Sequence, residues 1–196
     1  VVERVRLQHL SAAGALRELR GSDLAGSLHT TVGSRGRAAK VTGGSASARG
    51  ALRLHATLIS AWAWDDELFL GTASSGAVGA VWSHAKGRTV DELIVATAAA
   101  NEVAGRLGAA LWLSTDPVDT MSEVHALAAA TAAGKLAGLD VDAMTRAMAL
   151  AVTGAPRLRD GRHSGDGPAH GEAVASAVVR GFDAVAAAKK GEGGQA

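Results

Sequence analysis

Three consecutive carboxylates follow two tryptophans in the stretch SAWAWDDEL, namely Asp65, Asp66 and Glu67. Adjacent carboxylates repel one another, so burying them together would raise the pKa of one, which could then act as a general acid or base. The same residues could instead end one helix and cap the next on a solvated surface. Their spacing leaves both interpretations open.

The tryptophans next to these carboxylates are candidates for contact with a substrate. Apolar residues make up 47% of the chain but aromatic residues only 3%, so each tryptophan is unusually large for its surroundings. Such side chains either fill a core of small residues or line an apolar pocket. Trp62 and Trp64 are the two that could do the latter beside ionisable groups; the remaining two are Trp82 and Trp112.

Two groups of basic residues could bind an anion. The first lies in a stretch without acidic residues and comprises Arg35, Arg37, Lys40, Arg49 and Arg53. The second lies in RLRDGRHSGDGPAH and comprises Arg157, Arg159, Arg162, His163 and His170. Either group could equally be a solvated loop. The first lacks the GK[ST] ending of a P-loop, and the second offers no third ligand for a metal, so we expect no metal site.

His125 stands alone among alanines on a predicted helix. A histidine in this position is either a hydrogen-bonded core residue or a proton carrier in a buried site. No nucleophile elbow, zinc-protease motif or dinucleotide fingerprint accompanies it, so no cofactor is expected.

The composition limits the class of protein. The 196 residues carry a net charge of +1 and no cysteine, which disfavours nucleic-acid binding and excludes disulfides. The longest uncharged apolar run, at 93–100, is too short to span a bilayer, and the charged N-terminal residues do not resemble a signal peptide. We therefore expect a cytoplasmic protein that binds neither membranes nor nucleic acids.

Hydrophobic periodicity predicts an all-α fold of about seven short helices rich in alanine and glycine, forming one domain over residues 1–190. We expect helices at 1–20, 51–64 and 74–86, a long helix behind the capping box of Thr89 and Glu92, and further helices at 122–136, 141–153 and 172–188. Residues 21–50 read as a Gly/Ser-rich loop with room for a short strand pair, and 190–196 as a disordered tail. Glycines inside helices predict close packing: Gly76, Gly79, Gly105, Gly108 and Gly134.

Four blocks in order resemble the helical domain of the MmgE/PrpD family, which includes 2-methylcitrate dehydratase and cis-aconitate decarboxylase. They are LHATLISAWAWDD (54–66) with SSGAV (74–78), ANEVAGRLG (100–108), ALAAATAAGKLAGLD (126–140) and HSGDGPAHGEAVASAVVRGF (163–182). Each block is weak alone, and together they cover about residues 50–185. The resemblance implies the family's helical fold and a homodimer, without the α/β lid domain that follows in longer members.

The positions that the resemblance assigns to catalysis are all changed. The family's aspartate before the Asp-Asp pair is Ala63 here, and the threonine after the pair is Glu67. A family histidine falls on Ala73, another near Asp119, and a lysine on Asp160. Losing the histidines and the lysine removes the family's proton carriers and charge clamp, so the dehydratase and decarboxylase reactions are not expected.

Two hypotheses follow from these substitutions. In the first, the chain is a repurposed, cofactor-independent enzyme that acts as a lyase, isomerase or cyclase on a small molecule in a biosynthetic pathway. Its catalytic residues would be Glu67, Asp119, Asp160 and His125, and its substrate contacts Trp62, Trp64, Asp65, Asp66, Arg159, Arg162 and His163. In the second, it is a catalytically inactive dimeric binding or scaffold protein that pairs with a partner supplying a lid.

Overall fold

The computed structural model describes residues 1–62, 67–68, 71–72, 74–113, 121–153 and 167–193. These residues form eight α-helices and two antiparallel strand pairs of two residues per strand. The helices are α1 (Val2–Leu19), α2 (Asp23–Thr31), α3 (Ala48–Ser60), α4 (Ser74–Ser83), α5 (Val90–Trp112), α6 (Met121–Ala137), α7 (Val141–Val152) and α8 (Pro168–Lys189). The strands are β1 (Ala38–Ala39), β2 (Ser45–Ala46), β3 (Glu67–Leu68) and β4 (Gly71–Thr72). The predicted all-α class is confirmed.

Local capping signals in the sequence set several helix starts. Thr89 accepts the Glu92 backbone N–H, and the Glu92 carboxylate accepts the Thr89 backbone N–H, which confirms the predicted capping box at the start of α5. Asp140 caps α7 by accepting the Ala143 N–H at 2.7 Å. Both caps are built from neighbouring residues only, so sequence alone could locate them.

The prediction that residues 21–50 form a loop is wrong for its first third, where α2 lies. Ser22 caps this helix by accepting the Ala25 N–H, and Ala25 and Leu28 are buried against α1 and α3. The remaining part holds the expected strand pair, β1 with β2. Sequence propensity underestimates the stability of α2, because its glycine and threonines disfavour an isolated helix, whereas packing onto the core stabilises it.

The last helix starts earlier than predicted, at Pro168 rather than near residue 172. Proline suits the first helical turn because that turn needs no N–H donor from it and its φ is already helical. The helix ends at Lys189, with Gly191 at φ +81° just beyond. The prediction of a disordered tail from 190 to 196 falls partly on residues 194–196, outside the described residues.

Small residues let the helices at the centre approach closely. A Cβ on Gly181 of α8 would overlap the Ala126 carbonyl oxygen of α6, and a Cβ on Gly76 of α4 would lie 2.8 Å from the His125 carbonyl oxygen. The expected close packing is therefore found at Gly76, and also at Gly134 of α6, where a Cβ would lie 2.7 Å from the Met144 side chain. It is not general, because Gly79 has ordinary contacts and Gly105 borders an open groove beside α1.

Helix α1 is attached to the bundle by a short chain of hydrogen bonds. Trp82 Nε1 donates to His9 Nδ1 at 2.9 Å, so the neutral His9 ring carries its hydrogen on Nε2 and donates it to Thr97 Oγ1 at 3.0 Å. The Gln8 and Asn101 amides also bond to each other in both directions. Trp82 thus serves in packing, which was the simpler of its two interpretations.

The helices give the bundle two distinct ends. We call one the His125 end, where α3 finishes and α4, α6 and α8 begin, and the other the His84 end, where α3 and α5 begin and α4 and α6 finish. None of the helices in the described part of the chain is long and apolar enough to cross a membrane.

Candidate functional site

At the His125 end, the start of α8 lies directly against the end of α3. The Gly167 N–H donates to the Ala61 carbonyl oxygen, and a Cβ on Gly171 would overlap the Thr57 carbonyl oxygen. Gly167 has φ +134°, a conformation that glycine adopts without the steric cost of a side chain. The glycines of the GDGPAHG segment therefore allow two backbones to touch at this end.

The start of α4 is held on α6 by a buried hydrogen bond. Ser75 Oγ lies 3.2 Å from His125 Nδ1, and Ser75 and His125 are both almost completely buried. Next to this bond, Gly76 brings the α4 backbone onto the His125 backbone. The SSG sequence thus supplies one hydrogen-bonding hydroxyl and one close contact in consecutive residues.

His125 is neutral at physiological pH. Burial lowers its pKa to about 4, with a smaller contribution in the same direction from the charge of nearby His170. A neutral imidazole is able to accept a proton, but His125 is only 1% exposed. Its present geometry favours a structural or positioning role over direct contact with a substrate.

Arg180 joins two further helix ends near this site. Its Nε donates to the Ala151 carbonyl oxygen at 2.9 Å, at the end of α7, and its Nη2 donates to Ser122 Oγ at 2.8 Å, at the start of α6. Burial lowers the pKa of Arg180, and Glu123 opposes that shift. A single guanidinium therefore fixes the two helices that border the 154–166 and 114–120 segments.

Trp62 follows α3 at the same end and is half-buried against the cluster that contains Leu54, Leu58 and Val78. Much of this side chain therefore packs in the core. Its remaining exposed surface leaves the predicted contact with a substrate as a prediction.

Most of the predicted site residues lie outside the described residues. These are Trp64, Asp65, Asp66, Asp119, Arg159, Asp160, Arg162 and His163. For Glu67 the structure describes the backbone, which pairs with Thr72 in the short β3–β4 ladder. Their neighbours in the chain are described: Trp62, Ser74, Met121 and Gly167 all stand at helix ends of the His125 end.

The first basic group does not form one anion site. Lys40 is buried and donates to the Gly33 carbonyl oxygen at 3.0 Å, Arg49 pairs with Asp183, and Arg53 pairs with Glu172. These three cations tie loops and helices together. Arg37 instead lines a groove at the His84 end.

Metal binding finds no support among the residues that the structure describes, since no group of three or more histidine, aspartate or glutamate side chains is placed to hold an ion. The prediction that the chain needs no cofactor stays a prediction.

Sequence reasoning missed two residues of this end, Ser75 and Arg180, which are both hydrogen-bonded there. His170, a member of the second basic group, lies close enough to His125 to affect its pKa. Ser75 and Arg180 fall inside the SSGAV and VVRGF blocks, which was the available signal. Their partners are 50 and 58 residues away in the chain, so no local pattern could have paired them.

Comparison with known proteins agrees with this architecture. A search of curated proteins gives no significant match to the chain. The sequence profile of the MmgE/PrpD N-terminal domain, by contrast, matches residues 10–196, which is nearly the entire chain. The described helical bundle and the four sequence blocks are consistent with that match. The chain therefore belongs to the MmgE/PrpD family, through its N-terminal domain.

Proposed function

We propose that the chain is an acid–base enzyme for a small molecule, with its active site at the His125 end. The reaction would be a lyase, isomerase or cyclase step, without a cofactor, in a biosynthetic pathway. The family's dehydratase and decarboxylase reactions are not proposed, because Ala63, Ala73 and Asp160 stand where their ionisable residues are expected.

One observation carries this proposal. The described residues that border the segments 63–66, 73, 114–120 and 154–166 lie at helix ends of the same end of the bundle: Trp62, Ser74, Met121 and Gly167. These bordering residues are up to about a hundred residues apart in the chain and lie in one region, which supports the proposal that their segments meet there. Residues that must cooperate in proton transfer need such proximity.

Rigid support at this end fits an active site. Ser75 with His125, Arg180 with Ser122, and Gly171 against Thr57 fix the helices that carry the segments in question. Catalytic groups must be held within a fraction of an ångström of their working geometry, and buried polar contacts and close packing provide that restraint. Glu67 and Asp160 would be the proton-transferring carboxylates, and Trp62 and Trp64 the apolar contacts.

The experiment compares charge-neutralising variants with a matched control. The purified chain is incubated with pooled small metabolites, and substrate loss and product gain are measured by mass spectrometry. Glu67→Gln and Asp160→Asn should lower the rate about 100-fold or more if they transfer protons. Asp91→Asn, on the exposed first turn of α5 at the His84 end, should leave the rate unchanged. Wild-type rates in both site variants would remove these carboxylates from the mechanism.

A non-catalytic scaffold is the second candidate, and the substitution of every position that the family resemblance assigns to catalysis is the observation that favours it. On this proposal the chain forms a homodimer or pairs with a partner that supplies a lid. Turnover of no metabolite, together with co-purification of a larger subunit, would favour it. A stable homodimer that turns over a metabolite would contradict it.

A further inference from the structure

A groove of about 490 Å³ opens at the His84 end, at the opposite end of α4 from Ser75. Its wall contains Ala38, Ala48, Ser83 and Gly87 and four residues with basic side chains, Arg37, His84, Lys86 and Arg88. The ten residues of α4 separate it from the His125 end by about 15 Å. None of the described residues that line it carries a carboxylate.

Turn geometry places these basic residues on a defined backbone. Gly87 adopts φ +81° between Lys86 and Arg88, and the Arg88 N–H donates to the Ala85 carbonyl oxygen at 3.0 Å. On the other wall, Gly36 has φ +150° and lies so close to Ala46 that a Cβ there would overlap its carbonyl oxygen. Arg37, the next residue, is therefore attached to a tightly packed strand pair, β1 with β2.

Two of the cations are available to a ligand. Arg88 is engaged, because it pairs with Glu92 at 3.0 Å and donates to the Leu136 carbonyl oxygen. Arg37 and Lys86 have neither an ion pair nor a hydrogen bond with any residue that the structure describes. The groove therefore combines one fixed guanidinium with two exposed cations that can move onto an anion.

His84 adds a hydrogen-bonding group to the groove, and its pKa is sensitive to the charges nearby. Its Nδ1 donates to the Ala80 carbonyl oxygen at 3.1 Å, which leaves Nε2 as the titrating atom, and its ring packs on Phe182. Burial lowers the His84 pKa, the Ala80 bond opposes this, and the charges of Arg88 and Lys189 lower it further. The charged groups around it are thus Arg37, Lys86, Arg88 and Lys189, with Glu92 already paired to Arg88.

We propose that this groove binds the phosphate group of a small organic phosphate. Phosphate carries about two negative charges and several acceptor oxygens, and arginine and lysine are its usual protein partners. A volume near 490 Å³ exceeds what a free phosphate ion fills and lies within the usual range for metabolite pockets. The site is independent of the acid–base site at the His125 end.

The basic residues of the groove could instead have a purely structural role. Cations near the carbonyl ends of α4 and α6 could serve only to neutralise the helix dipoles, as Arg88 does on Leu136. That role would make Arg37 and Lys86 matter for stability and not for phosphate binding. The experiment therefore measures both quantities on the same variants.

The test follows the His84 imidazole by NMR while the full chain is titrated with glycerol phosphate, inorganic phosphate or citrate at low ionic strength. The resonance is assigned with His84→Gln. Glycerol phosphate should shift this resonance in a saturable way and raise the His84 pKa, because the bound anion stabilises the imidazolium. Inorganic phosphate should bind more weakly, and citrate should not saturate.

Matched charge variants decide the assignment. The double variant Arg37→Gln with Lys86→Gln should bind glycerol phosphate about tenfold more weakly, a loss of about 1.4 kcal/mol shared between two exposed ion pairs. Arg106→Gln removes one charge on α5 about 24 Å along the helix from Val90 and should bind normally.

The proposal would be overturned if the double variant bound glycerol phosphate as tightly as the wild type. It would also be overturned if the wild type bound no phosphate and the double variant were merely less stable. Equal affinity for inorganic phosphate would overturn the assignment of an organic ligand, and equal affinity for citrate would overturn the assignment of phosphate.

Discussion

The two ends of α4 show opposite solutions to the placement of polar groups. At its start, Ser75 and His125 are buried and bonded to each other, with glycines closing the surrounding space. At its end, His84 faces an open groove with exposed Arg37 and Lys86. Polar groups at the first end are satisfied within the protein, whereas those at the second are left for solvent or a ligand. The first arrangement favours rigidity and the second favours binding.

The largest predicted difference concerns acid sensitivity. Burial lowers the pKa of His125 and of His55 to about 4, against 6.5 for an unperturbed histidine. The unfolded chain therefore binds more protons between these values, so stability is complete above pH 6.5 and falls as the pH decreases towards 4. Each histidine should contribute about 1.4 kcal/mol per pH unit in this range.

Denaturant unfolding at a series of pH values measures that slope. In the His125→Gln variant the slope of the free energy of unfolding against pH should fall by about 1.4 kcal/mol per pH unit, because one of the two buried groups no longer titrates. His84→Gln, at the more open end, should change the slope less, because the bond from its Nδ1 to the Ala80 carbonyl oxygen opposes the lowering of its pKa by burial. An unchanged slope in His125→Gln would show that this ring is protonated or exposed in the folded state.

Close packing at the His125 end should make Gly171→Ala destabilising. The new Cβ would overlap the Thr57 carbonyl oxygen, and a backbone atom cannot turn aside as a side chain can. Forced overpacking of this kind costs about 1–3 kcal/mol. The control is Gly14→Ala on α1, where a Cβ meets nothing within 4 Å and should stabilise the helix by up to about 1 kcal/mol. Thermal and urea unfolding distinguish the two; equal stabilisation by both would contradict the packing of α8 on α3.

Two serines on α4 provide the sharpest comparison between its ends. Ser75→Ala should cost about 1–3 kcal/mol, because it leaves a buried nitrogen of His125 without its partner. Ser83→Ala should cost less than about 1 kcal/mol, since Ser83 donates to the Ala80 carbonyl oxygen, which also accepts from His84. Urea unfolding at pH 7 measures both. A larger loss of unfolding free energy in Ser83→Ala than in Ser75→Ala would contradict the description of the His125 end as the rigid one.

The smallest effect is expected for Lys86→Gln, whose side chain is exposed and unpaired within the described part of the chain. Its free energy of unfolding should change by no more than about 0.5 kcal/mol. A substantially larger loss would mean that Lys86 supports the fold, and the groove would then be a structural feature.

Much of the fold could be predicted because its signals are local. Thr89 with Glu92, and Asp140 with Ala143, place helix starts within four residues, and apolar periodicity identifies most of the helices. Helix α2 was missed because its stability depends on burying Ala25 and Leu28 against other helices. Local propensity is weak where tertiary packing supplies the stabilisation.

The candidate site was only partly within reach of the sequence. Four blocks with the right order identified the MmgE/PrpD family, and the family match over residues 10–196 confirms it. By the resemblance, the amino acids at 63, 67, 73, 119 and 160 stand where the family's catalytic residues are expected, and this assignment stays a prediction. The roles proposed for Glu67, Asp119 and Asp160 stay predictions.

The amino-acid sequence by itself determined the helical class and the family, because both depend on residue type and short-range spacing. Only the tertiary structure decided that His125 is buried beside Ser75, that Arg180 joins α6 to α7, and that Arg37 faces Lys86 across a groove while Arg49 and Arg53 pair with α8. Charge and hydrogen-bonding capacity are properties of single residues. Whether a charge is paired or a polar atom is hydrogen-bonded depends on residues that are far away in the chain and close in space.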